Sequence, residues 1–256
     1  MILRLLFCLC FISFLSETNA QVDSTESKDK SISIKVFKGT SDTLANVKTR
    51  WTILELGTSL YLHQGSFKLP NAGTQGTGAN AFALLPGRSI NTNLYVYQQR
   101  INLLKHRLNF MHGLGFEFHS YHFEHPTILI PEEPNLTVYQ DSISYRKNKL
   151  RTSFITLPVM FNYESKPGEF EKSFRASFGA YGGILLGSST KRKNNALGKQ
   201  KERDDFNLNK FRYGLRGEMG FGPINFYVTY ALNTLFQQED FPDLNPLSIG
   251  IKIIPF

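Results

Sequence analysis

The stretch 107–123, RLNFMHGLGFEFHSYHF, constrains the fold most, because its alternate residues form two unlike faces. One face is mostly large and apolar and comprises Leu108, Phe110, His112, Leu114, Phe116 and Phe118. The other is mostly small or polar and comprises Asn109, Met111, Gly113, Gly115, Glu117, His119 and Tyr121. A period of two predicts a β-strand between two different environments. The stretch also exceeds the about 9–11 residues that a tilted strand needs to cross a bilayer.

The first 20 residues have the features of a secretory signal peptide. Arg4 supplies the positive region, an apolar core follows, and Ala20 ends a small-residue cleavage site. A membrane anchor is the alternative, but the apolar run is shorter than the about 20 residues that a span requires. Both cysteines, Cys8 and Cys10, lie in this segment, so we expect a mature chain without disulfides or cysteine-ligated metals.

The composition favours a strand-built membrane protein. No later segment has 18 consecutive apolar residues, which argues against membrane helices. The 22 phenylalanines and 11 tyrosines are typical of the aromatic girdles of membrane β-barrels. The net charge of +8 is scattered along strands and loops without a recognition helix or zinc-finger spacing, so we expect no nucleic-acid partner. Phosphate-bearing lipid headgroups, including lipopolysaccharide, are the expected counterpart of a basic surface.

The lengths of the connections give the strongest argument for the fold. Eight strands are predicted, over residues 50–63, 93–103, 107–123, 143–163, 173–186, 206–221, 224–233 and 246–256. Long connections (64–91, 124–141, 187–205 and 234–245) alternate with short turns (105–106, 164–172 and 222–223). Outer-membrane barrels combine short periplasmic turns with longer extracellular loops, whereas a soluble sandwich or a lipocalin-like barrel, the alternative, does not require this alternation.

We therefore predict an all-β protein, an eight-stranded antiparallel transmembrane up-and-down β-barrel in the outer membrane of a Gram-negative cell. The predicted organisation is a signal peptide (1–20), a periplasmic N-terminal extension (21–49) and the barrel (50–256). An even number of strands places both termini in the periplasm. The terminal Phe256 is the kind of signal that barrel-insertion machinery reads, so that machinery is an expected partner during biogenesis.

Four strand segments resemble the outer-membrane β-barrel family that includes the PorT-type proteins. They are LNFMHGLGFEFHSYHF, RTSFITLPVMFNYES, FRASFGAYGGILLG and FRYGLRGEMGFGPINFYVTYALN, and the resemblance covers most of residues 51–256. The matching features are the Gly-x-Gly of the third strand, Leu157-Pro158 before a Pro-Gly turn, the glycine-rich fifth strand and the final Phe256. The resemblance implies a role in assembling or supporting a secretion apparatus, with secretion-apparatus proteins as partners, and implies no catalytic residue.

The predicted inner face carries charges of both signs, namely Glu55, Glu117, Glu218, Arg175, Arg212, Arg216 and Lys252. The interior of an eight-stranded barrel is just wide enough for side chains, and buried charges must be paired. We expect a structural salt-bridge network, with an ion or proton path as the alternative, and we expect Glu117 to meet an interior arginine.

Two further positions are predicted from the strand pattern. On the second strand, Tyr95 and Tyr97 are expected on one apolar face, and Pro158 is expected at a bulge or an irregular rim.

Two side-chain groups carry the alternatives for chemistry. His112, His119, His122 and His125 cluster in sequence, but they alternate between faces, so no metal site is predicted. Ser120, His122 and Glu124 lie at alternate positions, as a hydroxyl nucleophile with its base and acid would. Their order differs from the His-x-Ser of outer-leaflet lipid A deacylases, and we expect interfacial polar residues instead.

We predict a non-enzymatic assembly or interaction component, without catalytic residues, cofactor or metal. The alternatives are an outer-leaflet lipid-modifying enzyme of the lipid A deacylase type and a small-solute channel. A basic loop, with Lys191, Arg192, Lys193, Lys199, Lys201 and Arg203, is either a phosphate-binding or a solvated segment.

Overall fold

The computed structural model describes residues 44–63, 79–132, 135–194, 198–237 and 242–253. Its strands are β1 (Val47–His63), β2 (Ile90–Leu104), β3 (Leu108–His122), β4 (Thr127–Glu132), β5 (Asn135–Gln140), β6 (Lys147–Glu164), β7 (Phe174–Asn194), β8 (Gly198–Glu202), β9 (Phe211–Phe221), β10 (Ile224–Ala231) and β11 (Leu244–Ile253). Two short 3₁₀ turns, Ala79–Phe82 and Phe170–Lys172, accompany them. Within these ranges no helix is long and apolar enough to cross a membrane. The predicted signal peptide and Phe256 lie outside the described residues.

Eight of the strands close into a ring in the order β1, β2, β3, β6, β7, β9, β10, β11, and β11 pairs back to β1. Each neighbouring pair is antiparallel, so the ring is an up-and-down barrel, as predicted. Full closure leaves the ring without the exposed edges that make open sheets prone to aggregate. The short turns, the start of β1 and the end of β11 lie at one end of the barrel, and the described parts of the long connections lie at the other.

The ring strands place polar and small residues inside the barrel and apolar residues on its outer surface, the reverse of a soluble protein. On β3 the predicted inner residues are buried and the apolar residues face outward. On β9 the outward set is Phe211, Tyr213, Leu215, Met219 and Phe221, which alternate with buried Arg212 and Arg216. The 11 residues of β9 extend for about 33 Å, at about 3.3 Å per residue. Tilted by about 40°, this length matches the roughly 25 Å apolar band of outer-membrane barrels.

The prediction that Tyr95 and Tyr97 share the apolar face is wrong. The pairing of β2 with β3 shifts between Tyr95 and Tyr97, and Val96 forms a bulge. A one-residue bulge reverses the inward and outward positions beyond it. Tyr95 therefore lies inside the barrel, 1% exposed, while Tyr97 lies outside near Trp51, with the ring centroids 6.2 Å apart.

Three stretches that were predicted as loop or as ring strand differ in the structure. The prediction that 187–205 is a loop is wrong, because β7 continues to Asn194 and pairs with β8. The connection 124–141 contains the β4–β5 hairpin, which pairs outside the ring. Residues 206–210, predicted as part of a strand, precede β9 instead.

Pro158 does not lie at a bulge. It keeps regular register opposite Tyr181 of β7. On its other side, the pairing of β3 with β6 is interrupted between His112↔Val159 and Gly115↔Thr156. Proline has no N–H to donate to a ladder, so the interruption of the β3–β6 ladder accommodates Pro158 without a change of register.

Candidate functional site

The centre of the lumen is organised around Arg216, which is 1% exposed. Its Nη2 donates to Glu55 Oε1 at 2.5 Å and to Glu218 Oε1 at 2.8 Å, and its Nη1 donates to the Tyr95 hydroxyl at 2.9 Å. The guanidinium also lies 5.2 Å from the centroids of the Tyr95 and Tyr227 rings. A buried charge that is paired and hydrogen-bonded on several sides is held in one position, so this part of the lumen is closed by ordered side chains.

Hydrogen bonds extend this centre in both directions along the barrel. Towards the short-turn end, Lys252 Nζ donates to Glu218 Oε2 at 2.7 Å and to Gln98 Oε1 at 2.8 Å. Towards the long-connection end, Asn93 Nδ2 donates to Glu55 Oε2 at 2.9 Å, and Asn91 Nδ2 donates to Asn93 Oδ1 at 2.8 Å. The predicted salt-bridge network is therefore present in the lumen.

Glu117 does not form the predicted arginine pair. It accepts from the Tyr95 hydroxyl at 3.3 Å and lies 3.6 Å from Nε2 of His119. Arg212 Nη1 lies 2.9 Å from the same His119 nitrogen, and its guanidinium stacks 3.8 Å above the Phe154 ring centroid. Because the arginine can only donate, Nε2 accepts, and the Nδ1 proton of a neutral His119 can be donated to Ser59 Oγ at 3.1 Å.

An apolar cap covers the long-connection end. We define the cap core as the buried cluster formed by Tyr61, Ala81, Phe82, Tyr121, Phe123, Leu129, Leu136, Leu150, Phe206, Leu208, Leu235, Phe236 and Leu244. Phe82 is central, with its ring centroid 5.2 Å from that of Phe236 and 6.2 Å from that of Phe123. These residues come from strand ends and from the described parts of the long connections, which therefore share one packed core over the lumen.

Polar contacts fix the connections that form the cap. Thr127 Oγ1 donates to the carbonyl of Ala81, and Asn148 Nδ2 donates to the carbonyl of Thr127 at 2.7 Å. Between β5 and β6, the Tyr145 hydroxyl donates to Asp141 Oδ2 at 2.6 Å. This bond lowers the pKa of the Asp141 carboxyl and raises the pKa of the Tyr145 hydroxyl, because it favours the ionised acid and the protonated phenol.

A small cavity lies at the short-turn end of the barrel. Its volume is about 40 Å³, room for about three waters, and Arg100, Glu218 and Lys252 are among the residues that line it. Arg100 pairs with Glu164 at the rim. Arg175 donates to the carbonyl of Gly222 and to Asn225 Oδ1. The rim is therefore held by the same kind of charge-assisted bonds as the centre.

Charged residues inside and apolar residues outside are the arrangement of a membrane barrel. The family model of the outer membrane protein beta-barrel domain matches residues 89–237, more than half of the chain. The chain belongs to this family. It is therefore an integral β-barrel protein of the outer membrane, and its membrane face is the apolar outer surface of the eight-stranded ring.

Among solved structures, this outer-membrane barrel is similar to Ail, the attachment invasion locus protein of Yersinia pestis. The two share 11% sequence identity, and the likeness covers 80% of this chain and 97% of Ail with a TM-score of 0.29. No curated protein matches the sequence.

The barrel does not bring the candidate catalytic residues together. Ser120 and His122 point outward at the end of β3, and Glu124 is exposed beyond it. Within the described ranges, Ser120 Oγ and His122 Nδ1 have no hydrogen-bond partner, so the serine hydroxyl has no base. His119 lies inside the barrel and His112 outside, and the described residues contain no group of three metal-binding side chains.

The sequence interpretation missed that the basic segment is itself β-structure. Alternate lysines in 191–193 and in 199–201 flank a short segment that contains Asn and Gly, which is the pattern of a two-stranded hairpin. In the outer-membrane barrel this hairpin, β7 with β8, extends the sheet above the ring, beside the first residues of β6. The alternation of lysines was the signal from which the hairpin could have been found.

Proposed function

We propose that this protein is a PorT-like, non-enzymatic outer-membrane protein that acts as an assembly or interaction component, with secretion-apparatus proteins as partners. The long-connection end faces the outside of the cell, and both termini are periplasmic. The observation that carries the proposal is the ordered cap over a closed lumen. A cap with its own apolar core is a rigid platform for contacts, and among the described residues the network around Arg216 fills the middle of the lumen.

Two exposed residues of the long-connection end are suitable positions for a test of the contact surface. Tyr139 and Ile143 are 44% and 42% exposed, beyond the ring strands. A photo-crosslinking amino acid at either position should give a discrete protein adduct in living cells. The matched control is Phe178, 63% exposed on the lipid-facing side of β7, where we expect no protein adduct. Adducts absent from both cap positions would contradict the proposal.

The orientation has its own test. Lys199→Cys places a thiol on β8 and Lys166→Cys places one at the short-turn end, and both positions are exposed. A membrane-impermeant maleimide should label the first variant in intact cells and the second only after the outer membrane is opened. The reverse pattern would place the cap in the periplasm and would overturn the proposed orientation.

No observation favours the alternative of a lipid-modifying enzyme, because Ser120 has no base among the described residues. We expect the lipid A mass spectrum of a deletion strain to equal that of the parent. A change in the acylated species of the deletion strain that the wild-type gene reverses, and that Ser120→Ala does not reverse, would establish the enzyme instead.

A further inference from the structure

The extension of the sheet above the ring has two faces of unlike charge. We define the extension as residues 147–151 of β6, residues 189–194 of β7, and β8. On its inward side Leu150 belongs to the cap core and Thr190 is buried, and there Arg192 lies 3.7 Å from the carboxylate of Glu202. Its outward side carries seven cations, which we call the basic grid: Lys147, Lys149, Arg151, Lys191, Lys193, Lys199 and Lys201.

Strand register places the cations of the basic grid directly opposite one another. Lys147 pairs with Lys193 and Lys149 with Lys191, across β6 and β7. Lys193 pairs in turn with Lys199 and Lys191 with Lys201, across β7 and β8. Directly opposed side chains lie about 5 Å apart at Cβ, and like charges in such pairs destabilise a sheet. The extension therefore carries four unfavourable cross-strand pairs on one face.

On the described strands of the extension, no outward acidic residue offsets this charge. The outward positions of β6, β7 and β8 in the extension hold no Asp or Glu, and on β3 the same rows continue with His122 opposite Lys149 and Ser120 opposite Arg151. Within the part of the chain that the structure describes, none of the seven cations is ion-paired. A repulsive arrangement that the fold itself does not compensate indicates an anionic ligand that does.

The position of the basic grid along the barrel axis indicates which kind of anion it binds. On β6 the last outward apolar residue is Ile155, and Ser153 separates it from Arg151. Four residues correspond to about 13 Å along a tilted strand. The cations thus begin just beyond the apolar band, where lipid headgroups lie, and flexible lysine side chains can reach back towards them. Soluble partners do not require a site at this height on the lipid-facing side of the sheet.

We propose that the basic grid is a binding site for the phosphate groups of outer-leaflet glycolipid headgroups. Three strands and five residues span about 10 by 13 Å, enough for more than one phosphate. The site rests on the proposed orientation, with the extension outside the cell. It adds a lipid partner that is separate from any protein that contacts the cap.

The test compares two charge-matched triple variants of the purified barrel in detergent. The grid variant is K149Q/K191Q/K201Q, one full row across β6, β7 and β8. The control is K105Q/K166Q/K172Q, three exposed lysines of the short-turn end. Binding is measured with fluorescent lipid A that carries both phosphates, with the same lipid after removal of the phosphates, and with inorganic polyphosphate as a soluble competitor.

We expect wild type and control to bind phosphorylated lipid A at least tenfold more tightly than the dephosphorylated lipid, and to agree with each other within twofold. The grid variant should lose at least tenfold in affinity for the phosphorylated form only. Equal binding of both lipids, or an unchanged grid variant, would overturn the proposal. Polyphosphate that competes better than lipid A would also overturn it, because the grid would then be a site for soluble polyanions.

A second measurement separates binding from folding and from orientation. Without lipid, the grid variant should keep its folded, heat-modifiable band to a temperature at or above that of wild type, because repulsion is removed. If the triple variant does not fold, K191Q against K172Q repeats the comparison, and an unchanged affinity of K191Q for phosphorylated lipid A would then count against the site. Detergent binding does not depend on orientation. A failed cell-surface labelling of position 199 would therefore overturn the orientation and the outer-leaflet source of the ligand, whereas loss of the phosphate preference in detergent would overturn the phosphate site itself.

Discussion

Arg216 balances two buried carboxylates at the centre of the lumen. Replacing it by methionine leaves Glu55 without its charged partner in a site from which water is excluded. Removal of one partner of a buried ion pair costs about 3–5 kcal/mol. We therefore expect Arg216→Met to lower the free energy of unfolding by about that amount, measured by urea titration of the barrel in detergent or lipid vesicles.

The matched control for this prediction is the double variant. Glu55→Gln removes the carboxylate that loses its partner, so Glu55→Gln with Arg216→Met should be less destabilised than the sum of the two single variants. Residues in one network give coupling energies of about 0.5–3 kcal/mol. Additive effects of the two substitutions would contradict the assignment of Arg216 as the organising residue of the lumen.

Individual residues also show which positions the sequence can predict and which it cannot. The period of two predicted correctly that Glu55, Arg212, Arg216 and Glu218 lie on the inner face. It failed at Tyr95, because the bulge at Val96 is a tertiary feature without a sequence signal of its own. The partners of Glu117 could not be predicted either. The stagger between strands that are distant in sequence decides which of the inner charges lie close together.

Among the elements, β7 offers two glycines with opposite surroundings. A Cβ on Gly179 would run into the backbone at Val159 and Met160 of β6, whereas a Cβ on Gly182 would meet nothing within 4 Å. We expect Gly179→Ala to weaken the barrel and Gly182→Ala to leave it as stable as wild type. The temperature at which the folded band disappears in heat-modifiability gels checks this. Equal temperatures for both variants would contradict the close approach of β6 and β7.

The cap should unfold locally while the ring stays folded. Phe82 is 2% exposed between Phe123 and Phe236, and truncation of such a buried phenylalanine costs about 3–5 kcal/mol. Phe82→Ala should therefore expose the connection between β3 and β6 to proteolysis while the barrel keeps its heat-modifiable band. Phe178→Ala, on the lipid face, is the control and should leave the cleavage pattern unchanged. Protection of the connection in Phe82→Ala would mean that the cap does not depend on its core.

The elements outside the ring were the least predictable part of the fold. The ring strands could be located because one face meets lipid and the other meets a packed lumen, which produces a strict alternation. β4, β5 and β8 are not part of the ring, so the alternation of outward apolar and inward polar residues is missing from them. The cap core draws single residues from distant segments, and no local pattern links Phe82 to Phe236.

For the whole molecule, the closed lumen predicts that the barrel conducts no ions. In the part of the chain that the structure describes, the buried network around Arg216 and the cap core lie one after the other along the barrel axis. We expect no steady conductance when the purified protein is inserted into planar bilayers, with a 16-stranded porin as the positive control in the same membrane. Stable ohmic steps that scale with the amount of inserted protein would establish a channel and contradict the closed lumen.

Ring closure also has a kinetic consequence. Every pair of ring neighbours is local in the chain except β1 with β11, where Glu55 lies opposite Lys252. Until those two strands meet, both keep unpaired edges, and the carboxylate of Glu55 lacks Arg216, 161 positions away. Contacts so distant in sequence form slowly, and an open edge invites pairing with other chains. The last step of folding is therefore the most vulnerable one, and a chain arrested there would expose polar groups that the membrane cannot solvate.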